Sequence, residues 1–276
     1  MEVRLTTLSE NTATYGFLGE WGLSVLVEAD GVRILVDTGL GTSAVHNAQL
    51  LGIDLSTVDK IVLSHGHADH TGGLRDVLRR AGPVEVIAHP DVWGLKYARG
   101  EREQARYIGM PFSRAELESW GGDFNLTAEP VCISPMIMTT GVIPLSTSYE
   151  QVDANLYVKE GAHFAPDPLA DDLSLIIETD FGLVVILGCA HRGIVNTLEH
   201  ARRLTGEETI YAAVGGSHLF RASPQRIEET ATALKQMGVQ LLGVSHCTGF
   251  AASTRLAHEL GSALVANNAG TRLKLP

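Results

Sequence analysis

"LSHGHADHTGGL" (63–74) places His65, His67, Asp69 and His70 within six positions, directly after the apolar run "KIVL". Zinc and similar divalent ions take imidazole nitrogen and carboxylate oxygen, and a catalytic ion keeps one coordination position open for water. Extended backbone turns residues i and i+2 to the same side, so His65 and His67 can grip one ion. A tightening of the loop then lets Asp69 and His70 turn toward a second. Gly66 and Ala68 keep the intervening positions slim. Two ions so held can clamp one hydroxide and the oxygen of a scissile bond, with water acidified toward neutral pH. The plainer reading, a polar loop with a chance run of histidine, loses ground because more donors recur elsewhere.

Those donors follow other strand-like runs. "VVILGCAHRG" sets Cys189 and His191 just past an apolar run, "AAVGGSHLF" adds His218, and "LLGVSHCTG" adds His246 and Cys247. The runs 23–29, 32–37, 60–64 and 84–88 read as strands, and 173–178, 183–188, 209–215, 241–245 and 263–266 repeat that order. "DGVR" and "TDFG" supply turn residues between paired strands. Helices are expected over 42–51, 73–81, 193–204, 224–237 and 252–260, the fourth opened by Ser223-Pro224 as cap and first residue. The charged, glycine-broken stretch 91–130 reads as an insertion over one rim, a candidate lid. An α/β fold of one domain, 1–276, is the expectation.

With 45% hydrophobic residues in 276, the chain can bury a large core. A net charge of −11 repels phosphate backbones and argues against nucleic-acid and anionic-membrane partners, leaving a small-molecule substrate. Three cysteines give no disulfide framework, and the N-terminus "MEVRLTTLSE" has no secretory pattern, so a cytoplasmic protein is expected. Composition is silent on oligomeric state.

The quoted motif, with an Asp-Thr-Gly turn in "LVDTG" (35–39), resembles the hallmark of the metallo-β-lactamase superfamily. "GEWGLSVLVE", "HADHTGGL", "GCAHRGIVNT", "GGSHL" and "SHCTG" are similar to the branch that includes a dihydropterin–ribofuranosylaminobenzene-phosphate synthase. The resemblance implies an αββα four-layer sandwich with two mixed sheets and a helical insertion over the active-site rim. It implies a dinuclear site: His65 and His67 on the first ion, Asp69, His70 and His246 on the second. The ions would be zinc, with manganese or iron(II) as alternatives.

This chain departs from that pattern at named places. The bridging aspartate of most members is replaced by Cys189, either a thiolate ligand or a buried spectator. The third histidine of the first site, expected near "TTGVIP" (139–144), is absent, and His191 is its substitute, with a supporting role behind the ligands as the alternative. Val142 and Trp21 stand where the branch tends to carry glutamate and histidine. Asp37 would hold a ligand histidine by its second ring nitrogen, or merely cap its turn. His218 resembles the extra histidine that protonates a leaving group in phosphodiesterase members, and the alternatives are a direct ligand or a structural histidine. Asp69 and His218 are thus the catalytic candidates.

The remaining histidines read plainly. His46, His200 and His258 fall in helical patterns, His89 lacks a partner motif, and His163 lies in a loop near the rim. Lys96, Arg99, Arg102 and Arg106 form either an anion-attracting mouth or a solvated face diluted by Glu101 and Glu103.

Three functions compete. A metal-dependent hydrolase would attack a small ester-type substrate, phosphate-bearing or pterin-like, by a hydroxide held between two ions. A synthase would use the metal as Lewis acid to join a dihydropterin to a ribofuranosylaminobenzene phosphate. A ligand-sensing protein would keep an idle site. An oxygen-reducing di-iron role lacks the flavin domain that would follow.

Overall fold

Strands Ser24–Ala29 and Val32–Val36 are apolar on both faces, as strands of a sheet covered on two sides must be. Val25, Val27, Ile34 and Val36 point into a core shared with Leu175, Ile177, Val184, Ile186 and Val214 of a second sheet. Leu26 and Leu35 point the other way, under Ala44, Val45, Leu74 and Val77 of two helices. In the second sheet Ile176, Val185 and Leu187 turn outward against Ile194, Leu198, Leu234 and Leu256. The alternation of side chains therefore builds four layers, helix, sheet, sheet, helix. Each fully buried Leu or Ile contributes about 1.5–3 kcal/mol to holding them together.

The computed structural model describes residues 1–100 and 104–276. The first sheet has seven strands in spatial order 272–275, 3–9, 24–29, 32–36, 60–62, 84–88, 122–126. The second has six, in order 241–245, 210–216, 182–187, 174–179, 137–139, 132–134. In each, an antiparallel hairpin leads into parallel strands. The first hairpin turns through Asp30 (φ 50°) and Gly31 (φ 73°), the left-handed pair that matches strand twist. Helices Ser43–Leu50, Leu74–Ala81, Ile194–Thr205, Pro224–Gln236 and Phe250–Leu260 lie within a few residues of the expected spans. Ser223 Oγ accepts the Arg226 N–H at 3.1 Å, capping the fourth. Among the described residues no helix is long and apolar enough to cross a membrane.

Two expectations need correction. Residues 263–266 form no strand: a 3-10 turn fills Gly261–Ala263, and the segment touches the sheet through one bridge, Leu242 to Leu264. The last strand is instead Arg272–Leu275, antiparallel to Val3–Ser9. Among the described residues of the rim stretch 91–130 there is one α-helix, Arg114–Ser119, whose Leu117 is buried in the first helical layer. Nearer the site it is sheet: Lys96–Arg99 and Ala105–Tyr107 join Leu156–Glu160 and His163–Pro166 in four antiparallel strands.

Candidate metal centre

Each candidate donor follows the C-terminal end of a strand, where open α/β sheets gather their ligands. Asp37 follows Val32–Val36, the histidine motif follows Lys60–Val62, Cys189 and His191 follow Gly182–Leu187, His218 follows Ile210–Gly216, and His246 and Cys247 follow Leu241–Ser245. The two sheets bring these ends to one edge. Among the described residues six non-glycine residues have positive φ, and four lie here: Asp37 (58°), Ala190 (49°), His218 (47°) and His246 (51°). Such backbone persists only where the surroundings enforce it, and it clusters at functional sites.

His65, His67 and His191 form one set. His65 Nε2 lies 3.0 Å from His67 Nδ1 and 3.2 Å from His191 Nε2. Burial, with His70, His67 and His191 nearby, pushes the His65 imidazole well below its ordinary range. Burial also drops His67 to about 3 and lowers His191 strongly. All three are therefore neutral, the form that binds a metal.

His70, His246 and Asp69 form the other. His70 Nε2 lies 3.2 Å from His246 Nε2, and Asp69 Oδ2 is 3.3 Å from the same His246 nitrogen. Burial works to raise Asp69, but the bond to His246 and the nearby His70 outweigh it and hold the carboxyl below its ordinary range. Trp21 Nε1 also donates to Asp69 Oδ2, at 2.9 Å. Burial alone would discharge His70, yet the Asp37 carboxylate, 2.6 Å from Nδ1, raises it to about 9. That contact orients the ring so that Nε2 faces the site.

Cys189 sits between the sets. Its Sγ is 3.1 Å from His70 Nε2 and within 4.8 Å of donor atoms of His65, His191 and His246. It also groups with His218 and Cys247 within the same limit. His218 Nε2 lies 3.2 Å from Asp153 Oδ2. Burial opposes its charge, but that bond and the neighbouring Cys247 raise His218 to about 9. The His191 and His218 rings lie with centroids 4.0 Å apart, tilted 46° to each other. The cavity above them, about 330 Å³, is walled by Trp21, Arg106, Tyr107, Asp153, Phe220 and Arg221.

The donors fit divalent ions. Buried neutral nitrogens 3.0 to 3.2 Å apart match the edge of about 3.3 Å between ligands of a tetrahedral ion at about 2.0–2.1 Å. Among the described residues His67 Nε2, His191 Nδ1 and His218 Nδ1 are buried without a hydrogen-bond partner. A thiol, a carboxylate and five imidazoles converging on one buried edge are a donor set that suits a shared cation.

Residues outside the motifs complete the site. His246 Nδ1 meets Asn11 Oδ1 at 2.8 Å, Asn11 Nδ2 donates to His246 O at 3.1 Å, and the His246 N–H donates to Glu10 Oε1 at 2.6 Å. No spacing rule links "SEN" to "SHC", so these went unseen in the sequence. Lys96 is not at the mouth: it is buried between Asp167 and Asp171. Arg99 lies over Tyr157 and Phe164, Arg106 lines the cavity, and Arg102 lies outside the described residues. His163 opens an exposed strand, His89 Nδ1 accepts the Asp91 N–H, and His200 meets Thr140 O.

Two mixed sheets between helices, with histidines converging from strand ends, define a metallo-β-lactamase fold. The chain belongs to the metallo-β-lactamase superfamily, whose sequence profile matches residues 22–202. It is 32% identical, over 99% of its length and 96% of the relative's, to 7,8-dihydropterin-6-methyl-4-(β-D-ribofuranosyl)-aminobenzene-5'-phosphate synthase of Methanocaldococcus jannaschii. Its structure is similar to that of Tm1679, described as a metal-dependent hydrolase of the β-lactamase superfamily, with TM-score 0.85 and 30% identity over 98% of both chains. Zinc-bound PqqB from Methylobacterium extorquens shares the fold at TM-score 0.59 and 12% identity, over 99% of this chain and all of that one.

Proposed function

We propose that the protein is a dinuclear metal-dependent hydrolase acting on a small ester-type substrate, phosphate-bearing or pterin-like. The observation that carries this reading is Cys189, which stands within reach of two histidine sets at once. His65, His67 and His191 would hold one ion, and Asp69, His70 and His246 the other, with Cys189 between them. Zinc suits this mixture of nitrogen, oxygen and sulfur donors, with manganese or iron(II) as alternatives. When bound, such ions supply Lewis acidity and acidify water toward neutral pH.

The chain's own groups do the rest. Asp37 and Asn11 hold the outer nitrogens of His70 and His246, so that both rings present Nε2 to the site. Trp21 holds Asp69 by its indole N–H. His218, oriented by Asp153 and lining the cavity, is placed to hand a proton to a departing oxygen.

Full-length identity to a named synthase favours a second reading, condensation of a dihydropterin with a ribofuranosylaminobenzene phosphate. One experiment separates the two: metal-loaded protein incubated with phosphodiester, lactone and thioester substrates, and in parallel with a dihydropterin and arylamine pair. Hydrolysis is the expected result. Condensation alone makes the protein a synthase, and a full metal complement with no turnover makes it a sensing protein.

A further inference from the structure

Behind the first donor set lies an ion cluster that the hydrolytic reading does not use. Lys96 is 1% exposed, and its Nζ is 2.9 Å from Asp167 Oδ2 and 2.9 Å from Asp171 Oδ1. The other oxygen of Asp171, Oδ2, accepts the N–H of Gly66 at 2.8 Å. Gly66 stands between His65 and His67. On the far side of His67, the Ala68 N–H donates to Ile108 O at 2.7 Å, and the Ile108 N–H donates to Lys96 O at 2.9 Å. The N–H groups of the residues before and after His67 therefore both lead to Lys96, one through a carboxylate and one through the backbone. A Cβ on Gly66 would lie 2.3 Å from Val92 O, so the loop is also pressed from that side.

A buried ion cluster is a weak source of stability, because desolvation offsets its attraction and apolar residues of the same shape hold a fold as well. An apolar cluster has no acceptor for the Gly66 amide. A charged acceptor makes a hydrogen bond that is shorter and stiffer than a neutral one. We propose that Lys96 and Asp171 are positioning residues of the metal centre: Lys96 holds the Asp171 carboxylate against the Gly66 amide, and this sets the angle at which His65 and His67 present their nitrogens. The inference rests on the metal reading given above.

The test compares Asp171→Ala, Asp167→Asn and wild type, each loaded with Co²⁺, by chelator competition, by the ligand-field absorption of the bound cobalt, and by thermal melting. Both substitutions remove a partner of Lys96, but only Asp171 touches Gly66. Asp171→Ala is expected to weaken the cobalt site of His65 and His67 about 10–100-fold, as loss of a group that orients ligands does, and to shift its absorption bands. Asp167→Asn is expected to lower the melting temperature while leaving affinity and spectrum as in wild type. Equal weakening by both would make the cluster merely structural and overturn the proposal. Should Asp171→Ala not fold, two neutral pairs replace it: Lys96→Met with Asp171→Asn keeps an acceptor for the Gly66 amide and is expected to shift the cobalt bands less than Lys96→Met with Asp171→Leu, which has none. Identical spectra for those pairs would overturn it too. Wild-type protein that takes up no cobalt would instead defeat the metal reading, and this inference with it.

Discussion

Asp37 Oδ2 lies 2.6 Å from His70 Nδ1, while Asp37 Oδ1 accepts the Ser64 N–H at 2.7 Å. One buried carboxylate thus orients the His70 ring and holds the start of the loop that carries it. Asp37→Asn is expected to weaken metal binding about 10–100-fold with the fold retained. Asp37→Ala adds about 1–3 kcal/mol of destabilisation by stranding the buried Ser64 amide. Chelator competition reads the first effect and denaturant melts the second; an Asp37→Asn protein with wild-type affinity would show that Asp37 only supports its turn.

Protein made without chelators should carry close to two divalent ions per chain. His67→Ala and Asp69→Ala should each abolish turnover while the far-ultraviolet circular dichroism stays that of wild type, since each removes one donor and no core side chain. Elemental analysis that finds no transition metal in wild-type protein would refute the assignment.

His191 Nε2 is 3.2 Å from His65 Nε2, where the histidine absent from 139–144 is needed. His191→Ala should lose about one metal equivalent, as removal of a direct ligand does. Unchanged stoichiometry with slower turnover would move His191 behind the ligands.

For His218 the expected signature is in the leaving group. His218→Ala should keep both ions, lose about 10²–10⁴-fold in rate on a substrate with a poor leaving group, and lose little on an activated aryl ester. Asp153→Asn should follow the same pattern to a smaller degree, because Asp153 acts through the His218 ring. Equal slowing of both substrates would mark His218 as a ligand or a positioning residue.

The parts of this site that are legible in the sequence are local. His65, His67, Asp69 and His70 come from one loop, and the strand ends at Cys189, His218 and His246 announce themselves by glycine and apolar runs. The supporting contacts are not local. Asn11 meets His246 across 235 positions, and neither residue type nor spacing signals it. Lys96 reads as solvated beside Arg99 and Arg106, but Asp167 and Asp171, more than seventy positions away, draw it inside. The rim strands escape notice because one face of the small sheet is wet and its pattern is short and charged. Strand 272–275 joins the sheet only through strand 3–9, at the opposite end of the chain, and carries little signal alone.

The tie between Glu10 and His246 spans 236 positions, and it is buried. A chain emerging from the ribosome amino end first has its His65-to-His70 loop early and must wait for its final quarter before His246 can join His70 and Asp69. On the proposed metal assignment, the second set of donors would therefore be complete only once nearly the whole chain has been made.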